Sequence, residues 1–391
     1  MTTISQVPLS IPDITEAEQN AVLSVMSGSQ LSLGPRLPEF ERALCEAAGT
    51  KHAIAVNSGT SALHLCVKAL NIGEGDEVIT TPFSFVASAN CILYERATPR
   101  FVDIDASTWN IDPRRITEAI NPRTKAILPV HVFGRPADMN AISMVARRYG
   151  LSLIEDSCEA IGATIGDRKV GALGNAGVFA FYPNKQITTG EGGAVVTDDD
   201  EIAALCRSWR NQGRGETGEW LQHERLGYNY RLSEINCAIG TVQLSRLQEI
   251  CAARASVAAR YNEMLAGMSE LIVPALQEPN STISWFVYVV RLTDDFSRND
   301  RDEVLRHLRE SRVGCNSYFT PIHLQPFYRD QFGYREGDFP ITEHISTRTI
   351  ALPFFNRLSS EQAVYVVSAL RHALAEVSGK YRRQKVKVMS A

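Results

Sequence analysis

A lysine, a pair of adjacent acids and a glycine-containing turn carry most of the chemistry this sequence offers. Lys185 lies in Gly177-Val-Phe-Ala-Phe-Tyr-Pro-Asn-Lys185-Gln-Ile-Thr-Thr-Gly-Glu-Gly-Gly193, between an apolar run and a glycine-rich turn. Partial burial at a strand end disfavours the ammonium form and frees the amine as a nucleophile. Schiff-base formation with an aldehyde is the reaction such an amine performs best. A solvated lysine after a strand reads the same way in isolation, so the other residues must decide.

Three segments bear on that choice. Asn57-Ser-Gly-Thr60-Ser-Ala-Leu63 is a strand-to-helix turn. Its glycine permits close backbone approach and its helix start offers unpaired N–H groups, an arrangement suited to a phosphate. An ordinary Ser/Thr cap is the other reading. In Leu151-Ser-Leu-Ile-Glu155-Asp156-Ser157-Cys158-Glu159-Ala160 two acids follow an apolar strand. A carboxylate there needs a partner, such as a protonated ring nitrogen, unless it is only a helix cap. Thr81-Pro-Phe-Ser-Phe85-Val-Ala-Ser-Ala-Asn90 brings aromatics that either cover a flat ligand or fill the core. An anion cradle, a strand-end acid, an aromatic and a lysine together meet the needs of pyridoxal 5'-phosphate (PLP). Each signal is weak alone, and the combination is specific.

The elements that must position these residues are legible between about residues 50 and 200. Strands are expected at Ala53–Val56, Glu77–Thr80, Arg100–Asp103, Ala126–Val130 and Leu151–Ile154. Helices are expected at Thr60–Leu70, Phe85–Tyr94, Pro113–Ile120 and Ala137–Tyr149. This alternation predicts an α/β fold with a mostly parallel central sheet flanked by helices. Ligands then gather outside the carboxyl ends of the strands, where all the chemistry-bearing segments fall. Val178–Phe181 and Ala194–Thr197 add strands around the glycine turn, leaving room for one antiparallel edge. A proline-free helical pattern from Ser233 to Met268 should kink or break. Beyond it, a strand at Ile283–Leu292 and helices at Asn299–Ser311 and Ser359–Val377 predict a smaller C-terminal α+β domain. The expected division is a large cofactor-binding domain over 1–250 and a small domain over 251–391.

Composition narrows the classes. With 391 residues the chain is too long for one ordinary core. Lys+Arg of 40 against Asp+Glu of 44 gives no basic excess for nucleic acid or an anionic membrane. The one basic patch, Lys380-Tyr-Arg-Arg-Gln-Lys-Val-Lys387, reads as a solvated or frayed terminus. The eight cysteines include no CxxC pair, which favours a reduced, cytoplasmic enzyme over a disulfide scaffold or a metal site. Met1-Thr-Thr-Ile-Ser-Gln-Val-Pro8 has no signal-peptide pattern, and no run is long enough to span a membrane.

The chain resembles the DegT/StrS-type nucleotide-sugar aminotransferases, in the aspartate-aminotransferase-like superfamily of fold type I. The likeness runs from Val7-Pro-Leu-Ser and Leu33-Gly34-Pro35 through Asn57-Ser-Gly-Thr-Ser-Ala-Leu63, Thr81-Pro-Phe-Ser-Phe85 and Asp112-Pro113. It continues through Pro129-Val-His131-Val-Phe-Gly134, Glu155-Asp156, Tyr182-Pro-Asn-Lys185 and Thr189-Gly-Glu-Gly-Gly193. Leu226-Gly-Tyr-Asn229-Tyr-Arg231-Leu, Tyr318-Phe-Thr-Pro-Ile-His323-Leu-Gln325 and Leu352-Pro353 complete it. The resemblance implies that Lys185 holds PLP covalently as an internal aldimine and that Asp156 keeps its pyridinium nitrogen protonated. It places Phe85 on the ring, Glu159 near the phenolic oxygen, and Gly59 and Thr60 on the phosphate. Asn229 would reach the phosphate of a neighbouring subunit, which makes the enzyme a homodimer with shared sites. His131, Arg231, Tyr318 and His323 are the implied substrate contacts. Many relatives carry serine five residues before the lysine; here that position is Ala180.

The implied reaction is ping-pong transamination from L-glutamate to a nucleotide-linked keto-sugar, 4-keto-6-deoxy or 3-keto, with Lys185 moving the proton. A dehydratase on the same scaffold would replace the lysine, typically by histidine. A non-catalytic regulator would need a DNA-binding or sensory appendage for which the length leaves no room. A nicotinamide dehydrogenase would need GxGxxG after an early strand, and Gly171-Ala-Leu-Gly174-Asn-Ala-Gly177 has the wrong spacing and place.

Overall fold

The structure, a computed structural model, describes residues 6–215 and 222–389, with side chains through residue 379. The first strands in chain order are β1 (His52–Val56), β2 (Glu77–Thr80), β3 (Thr98–Phe101), β4 (Thr124–Ile127) and β5 (Ser152–Asp156). A short pair, β6 (Thr164–Ile165) and β7 (Arg168–Lys169), precedes β8 (Ala176–Ala180) and β9 (Gly193–Thr197). Later come β10 (Leu271–Ile272), β11 (Ser281–Thr282), β12 (Tyr288–Leu292) and β13 (Thr349–Leu352). Seven of them form the main sheet in the order β1-β9-β8-β5-β4-β2-β3.

The apolar runs that predicted these strands are buried on both faces, as a sheet covered by helices requires. Helices Gly59–Ala69, Ala87–Tyr94, Pro113–Ala119 and Met139–Tyr149 stand where the periodicity places them, within two residues at their starts. The β3 and β4 strands begin two residues earlier than their apolar runs suggest.

The antiparallel member of the sheet is β9, but it is no edge. It pairs with β8 on one side and with β1 on the other, and β1 takes the outside position. The β8–β9 connection is consequently a direct return rather than a crossover, and this return carries Lys185.

The long helical pattern breaks at Arg246, giving helices Glu234–Ser245 and Leu247–Leu265. Arg246 leaves helical geometry while its guanidinium pairs with Asp13 at 3.0 Å, Glu18 at 2.9 Å and Glu249 at 3.2 Å. The strand expected over Ile283–Leu292 forms only from Tyr288. Upstream, side chains take the carbonyls that a neighbouring strand would need. Arg254 donates to Trp285 O and Phe286 O, both at 2.7 Å, and Gln186 donates to Ser284 O at 2.9 Å. A second hydrophobic cluster runs from Val257 to Val377 around the β10-β12-β13 sheet and recruits Val7 from the N-terminal segment. The last helix continues through Met389. The side chains of the basic tail, 380–387, and residues 1–5 of the leader lie outside the described residues.

The two acids at the end of β5 point to opposite faces, because side chains alternate along a strand. Glu155 is fully buried in a loop that wraps around it. It accepts from Leu173 N at 2.5 Å, Gly174 N at 2.7 Å and Gly171 N at 3.0 Å, with His131 Nε2 at 3.2 Å. Each of its two oxygens faces two donors, so every group around the carboxyl donates and none accepts. The substitution Glu155→Gln turns one acceptor oxygen into a donor facing N–H groups. The cost should be about 1–3 kcal/mol of stability, the penalty for a buried unpaired donor. A urea titration reads this directly, and an unchanged midpoint would show that the loop does not depend on the charge.

Candidate active site

A cavity of about 510 Å³ opens at the carboxyl ends of β1, β2, β5 and β8. Its lining includes Gly59, Thr60, Phe85, Asp156, Glu159, Lys185 and Tyr318, so seven of the residues read from the sequence converge there.

The helix Gly59–Ala69 supplies its anion-binding end. Ser58 caps that helix by accepting from Ser61 N at 3.1 Å. The Gly59 and Thr60 amides precede the intrahelical ladder and remain as donors at the positive end of the dipole. The glycine is required by contact. A Cβ on Gly59 would lie 2.7 Å from Ala180 Cβ and 3.1 Å from Cys158 Sγ. A Cβ on Gly193 would lie 2.5 Å from Gly59 N, so β8, β9 and the helix start meet backbone against backbone.

Asp156 is buried at the end of β5. Its Oδ2 accepts from Ser88 Oγ at 2.6 Å, and Ser84 Oγ lies 2.8 Å behind Ser88. Its Oδ1 accepts from Cys158 N at 3.2 Å. No lysine, arginine or histidine pairs with it among the described residues. The site therefore holds a buried carboxylate whose cationic partner must come from elsewhere.

Lys185 sits in the turn after β8, with its backbone N donating to Tyr182 O at 2.9 Å. Nζ is 3.5 Å from Glu159 Oε1 and 4.0 Å from the centre of the Phe286 ring. Both flanking residues are anchored: Gln186 Nε2 donates to Glu159 O at 2.6 Å, and Arg254 Nη2 lies 3.5 Å from Asn184 O. Burial pushes the Glu159 carboxyl up, with the Asp156 charge adding to it, and Lys185 and the Phe133 N–H offset only part of the rise. Burial likewise lifts the Tyr318 phenol to about 12, so it is a neutral donor or acceptor at the cavity wall.

Four candidates stand outside this cavity. His131 is fully buried, with Nε2 on Glu155 and Nδ1 accepting from Ala137 N at 3.0 Å. It supports the strand end and leaves no surface for a ligand. His323 is also fully buried, 3.0 Å from Glu343 Oε1 and packed on Phe339. Arg231 donates to Asn211 Oδ1 at 3.0 Å. Asn229 is exposed and does not line its own chain's cavity. Phe85 does line it, yet stays 63% exposed, so one side of the ring awaits a cover.

Sequence reading missed Ser88, Gln186, Arg254 and Phe286. Ser88 was legible in principle, since it lies one helical turn after Ser84 in the segment already singled out. Phe286 comes from a part of the chain about a hundred residues later, and no local signal points to it.

The residues present fit PLP. The glycine-made cradle leaves the two helix-start amides for a phosphate, the unpartnered Asp156 suits a pyridinium nitrogen, and Lys185 Nζ faces the same space.

Known proteins agree with this geometry. The DegT/DnrJ/EryC1/StrS aminotransferase family matches residues 12–371. Over 376 residues the chain is 38% identical to the GDP-perosamine synthase of Caulobacter vibrioides, covering 96% of this chain and 100% of that one. Its fold matches Helicobacter pylori PseC, an aminotransferase involved in the biosynthesis of pseudoaminic acid, with a TM-score of 0.90 at 30% identity. That match covers 95% of this chain and 100% of PseC. Spr1654 from Streptococcus pneumoniae matches in its PLP form with a TM-score of 0.91 at 27% identity, over 95% of this chain and 99% of that one. With the sequence matched over residues 12–371 and the architecture shared, the chain belongs to the DegT/DnrJ/EryC1/StrS aminotransferase family, as a sugar aminotransferase of fold type I.

Proposed function

We propose that this protein transfers an amino group from L-glutamate to a nucleotide-linked keto-sugar, using PLP attached at Lys185. One observation carries the proposal: a buried carboxylate without a cation, a lysine amine and an open helix start line a single cavity. The name of the Caulobacter relative supports a nucleotide-linked product, and a 4-keto-6-deoxyhexose is the first acceptor to try, with a 3-keto sugar second.

When bound, PLP supplies the carbonyl that receives the amino group and the ring that takes up electrons. The protein residues do the rest. Asp156 holds the ring nitrogen as a cation by fixed charge, and Ser88 and the Cys158 amide hold Asp156. The Gly59 and Thr60 amides and the Thr60 hydroxyl bind the phosphate. Lys185 Nζ takes the proton from the α-carbon of the amino donor and returns it on the far side of the reaction. Glu159 sits beside that amine, where it would face the phenolic oxygen of a bound ring.

Tyr318 is the substrate contact kept on this reading, because it lines the cavity with Phe85. Arg231 and Asn229 serve the site of a second subunit, in a homodimer with shared sites. Residues 1–250 form the cofactor-binding unit. The unit over 251–391 closes the cavity with Phe286, Tyr318 and Phe319. Among the described residues, no helix is long and apolar enough to cross a membrane, and no cluster of acids, histidines and cysteines could hold a metal.

The function is tested by supplying purified protein with PLP, L-glutamate and a panel of nucleotide-linked keto-sugars. Amino-sugar formation that depends on glutamate is expected. A deoxygenated or dehydrated product, or no turnover with any acceptor, would favour the dehydratase or the non-catalytic alternative on this scaffold. In Lys185→Ala, the visible absorption of lysine-bound PLP should vanish and turnover should fall roughly a hundredfold to ten-thousandfold. Retained turnover would take Lys185 out of the reaction. Ala180→Ser restores a hydroxyl beside the Gly59 cradle, where the glycine leaves room for it. It should tighten PLP about twofold to tenfold, one net hydrogen bond's worth, as read by spectroscopic titration. An unchanged dissociation constant would place position 180 away from the phosphate.

A further inference from the structure

Asn229 belongs to a short extended segment gripped from below by groups that the proposed reaction does not use. Glu95, at the end of helix Ala87–Tyr94, is the hub. Lys68 Nζ lies 3.1 and 3.0 Å from its two carboxylate oxygens. His64 Nε2 is 2.7 Å and the Tyr228 hydroxyl 3.2 Å from Oε1. The other nitrogen of His64, Nδ1, is 3.1 Å from the Tyr230 hydroxyl. Since an ionised carboxylate can only accept, His64 carries its proton on Nε2, and Nδ1 accepts from Tyr230. Burial drives Glu95 up, but the donations from Lys68 and His64 outweigh it and hold the carboxyl below its usual range. Burial also lowers His64, which keeps the imidazole neutral.

The grip sets a direction. The rings of Tyr228 and Tyr230 stack at 4.8 Å and 9°, on one side of the segment. Side chains two apart in extended backbone share a side, and the one between them faces the other way. Asn229 is accordingly turned outward and exposed. The backbone is pinned as well: Tyr228 N donates to Trp209 O at 2.7 Å and Gln212 N to Tyr228 O at 2.8 Å.

We infer that Glu95 is a positioning residue for the cofactor site of the other subunit, acting through the Tyr228–Tyr230 pair to hold Asn229 in its outward pose. The inference rests on the shared-site reading proposed above. A merely local role is the rival, because Asn57 N donates to Tyr230 O at 2.9 Å and Asn57 adjoins the chain's own phosphate turn.

Differently tagged subunits, purified as heterodimers, separate the two. Only the subunit that keeps Lys185 forms the visible PLP band, so the PLP concentration that half-develops the band reports one site. In the first arrangement Glu95→Gln and Lys185→Ala share one chain, and the partner is wild type. In the second arrangement the two substitutions are on different chains. The first should need on the order of tenfold more PLP than a dimer carrying Lys185→Ala alone, the loss of one hydrogen bond to a charged group. The second should stay within about twofold of that reference, since an undisturbed hydrogen bond contributes no change.

Weakening in both arrangements, in neither, or only in the second overturns the inference. Tyr228→Phe, which keeps the stack and removes the hydroxyl, is carried in parallel and replaces Glu95→Gln if that chain does not fold. Asn229→Ala in the same two arrangements isolates the underlying reading. If Asn229→Ala shows the placement effect and the Glu95 and Tyr228 variants do not, only the positioning role fails. If Asn229→Ala shows none, the shared site fails and the inference with it.

Discussion

The site is organised around a charge that the chain buries without neutralising. Asp156 comes to the end of a central strand, loses its water, and among the described residues accepts hydrogen bonds from Ser88 and the Cys158 amide but from no cation. An uncompensated buried carboxylate is costly, and a protein keeps one only where something else supplies the countercharge. The rest of the cavity follows from that requirement. The lysine that would most simply neutralise Asp156 is directed to Glu159 instead, 3.5 Å away, which leaves Asp156 open to a ligand.

The neighbouring acid shows what a purely structural carboxylate looks like in the same strand. Glu155 is as deeply buried, but four protein donors surround it and it does not line the cavity that Asp156 lines. Strand alternation sends the two acids to opposite faces, so one sequence dipeptide serves both ends. His131 falls on the structural side of that division. It ties Glu155 to the loop at Ala137, and its part in the site is to steady the strand end that carries Asp156.

What could be read in the sequence was what depends on local pattern. The alternation of apolar runs and amphipathic helices gives the sheet, and the strand-end rule gives the positions of Gly59, Asp156 and Lys185. What could not be read depends on long-range competition for backbone groups. Residues 283–287 have the composition of a strand, yet Arg254 and Gln186 take their carbonyls and turn the segment toward the cavity, bringing Phe286 to Lys185. The placing of β9 inside the sheet likewise follows from pairing with β1 more than a hundred residues earlier, which no window around β9 contains. His323 matched a motif in the sequence. Its burial against Phe339 and Glu343 is a property of how two distant segments pack.

The division of labour within the cavity follows the stiffness of the elements beneath it. The groups that the proposed reaction needs fixed, Asp156 and the helix-start amides, stand on strand ends and a capped helix locked into the sheet. Lys185, which carries the proton in the proposed reaction, stands on the return between β8 and β9, with its backbone anchored on both sides and its side chain free of the ladder. Fixed charge is effective only if it does not relax when the reacting charge changes, whereas a proton carrier must reach more than one atom. A direct antiparallel return beside parallel strands meets both needs at one end of one sheet. That is why the interior position of β9 matters to chemistry and not only to topology. It brings Gly193 against Gly59, backs the helix start proposed to take the phosphate, and joins the lysine loop to the sheet that carries the acid.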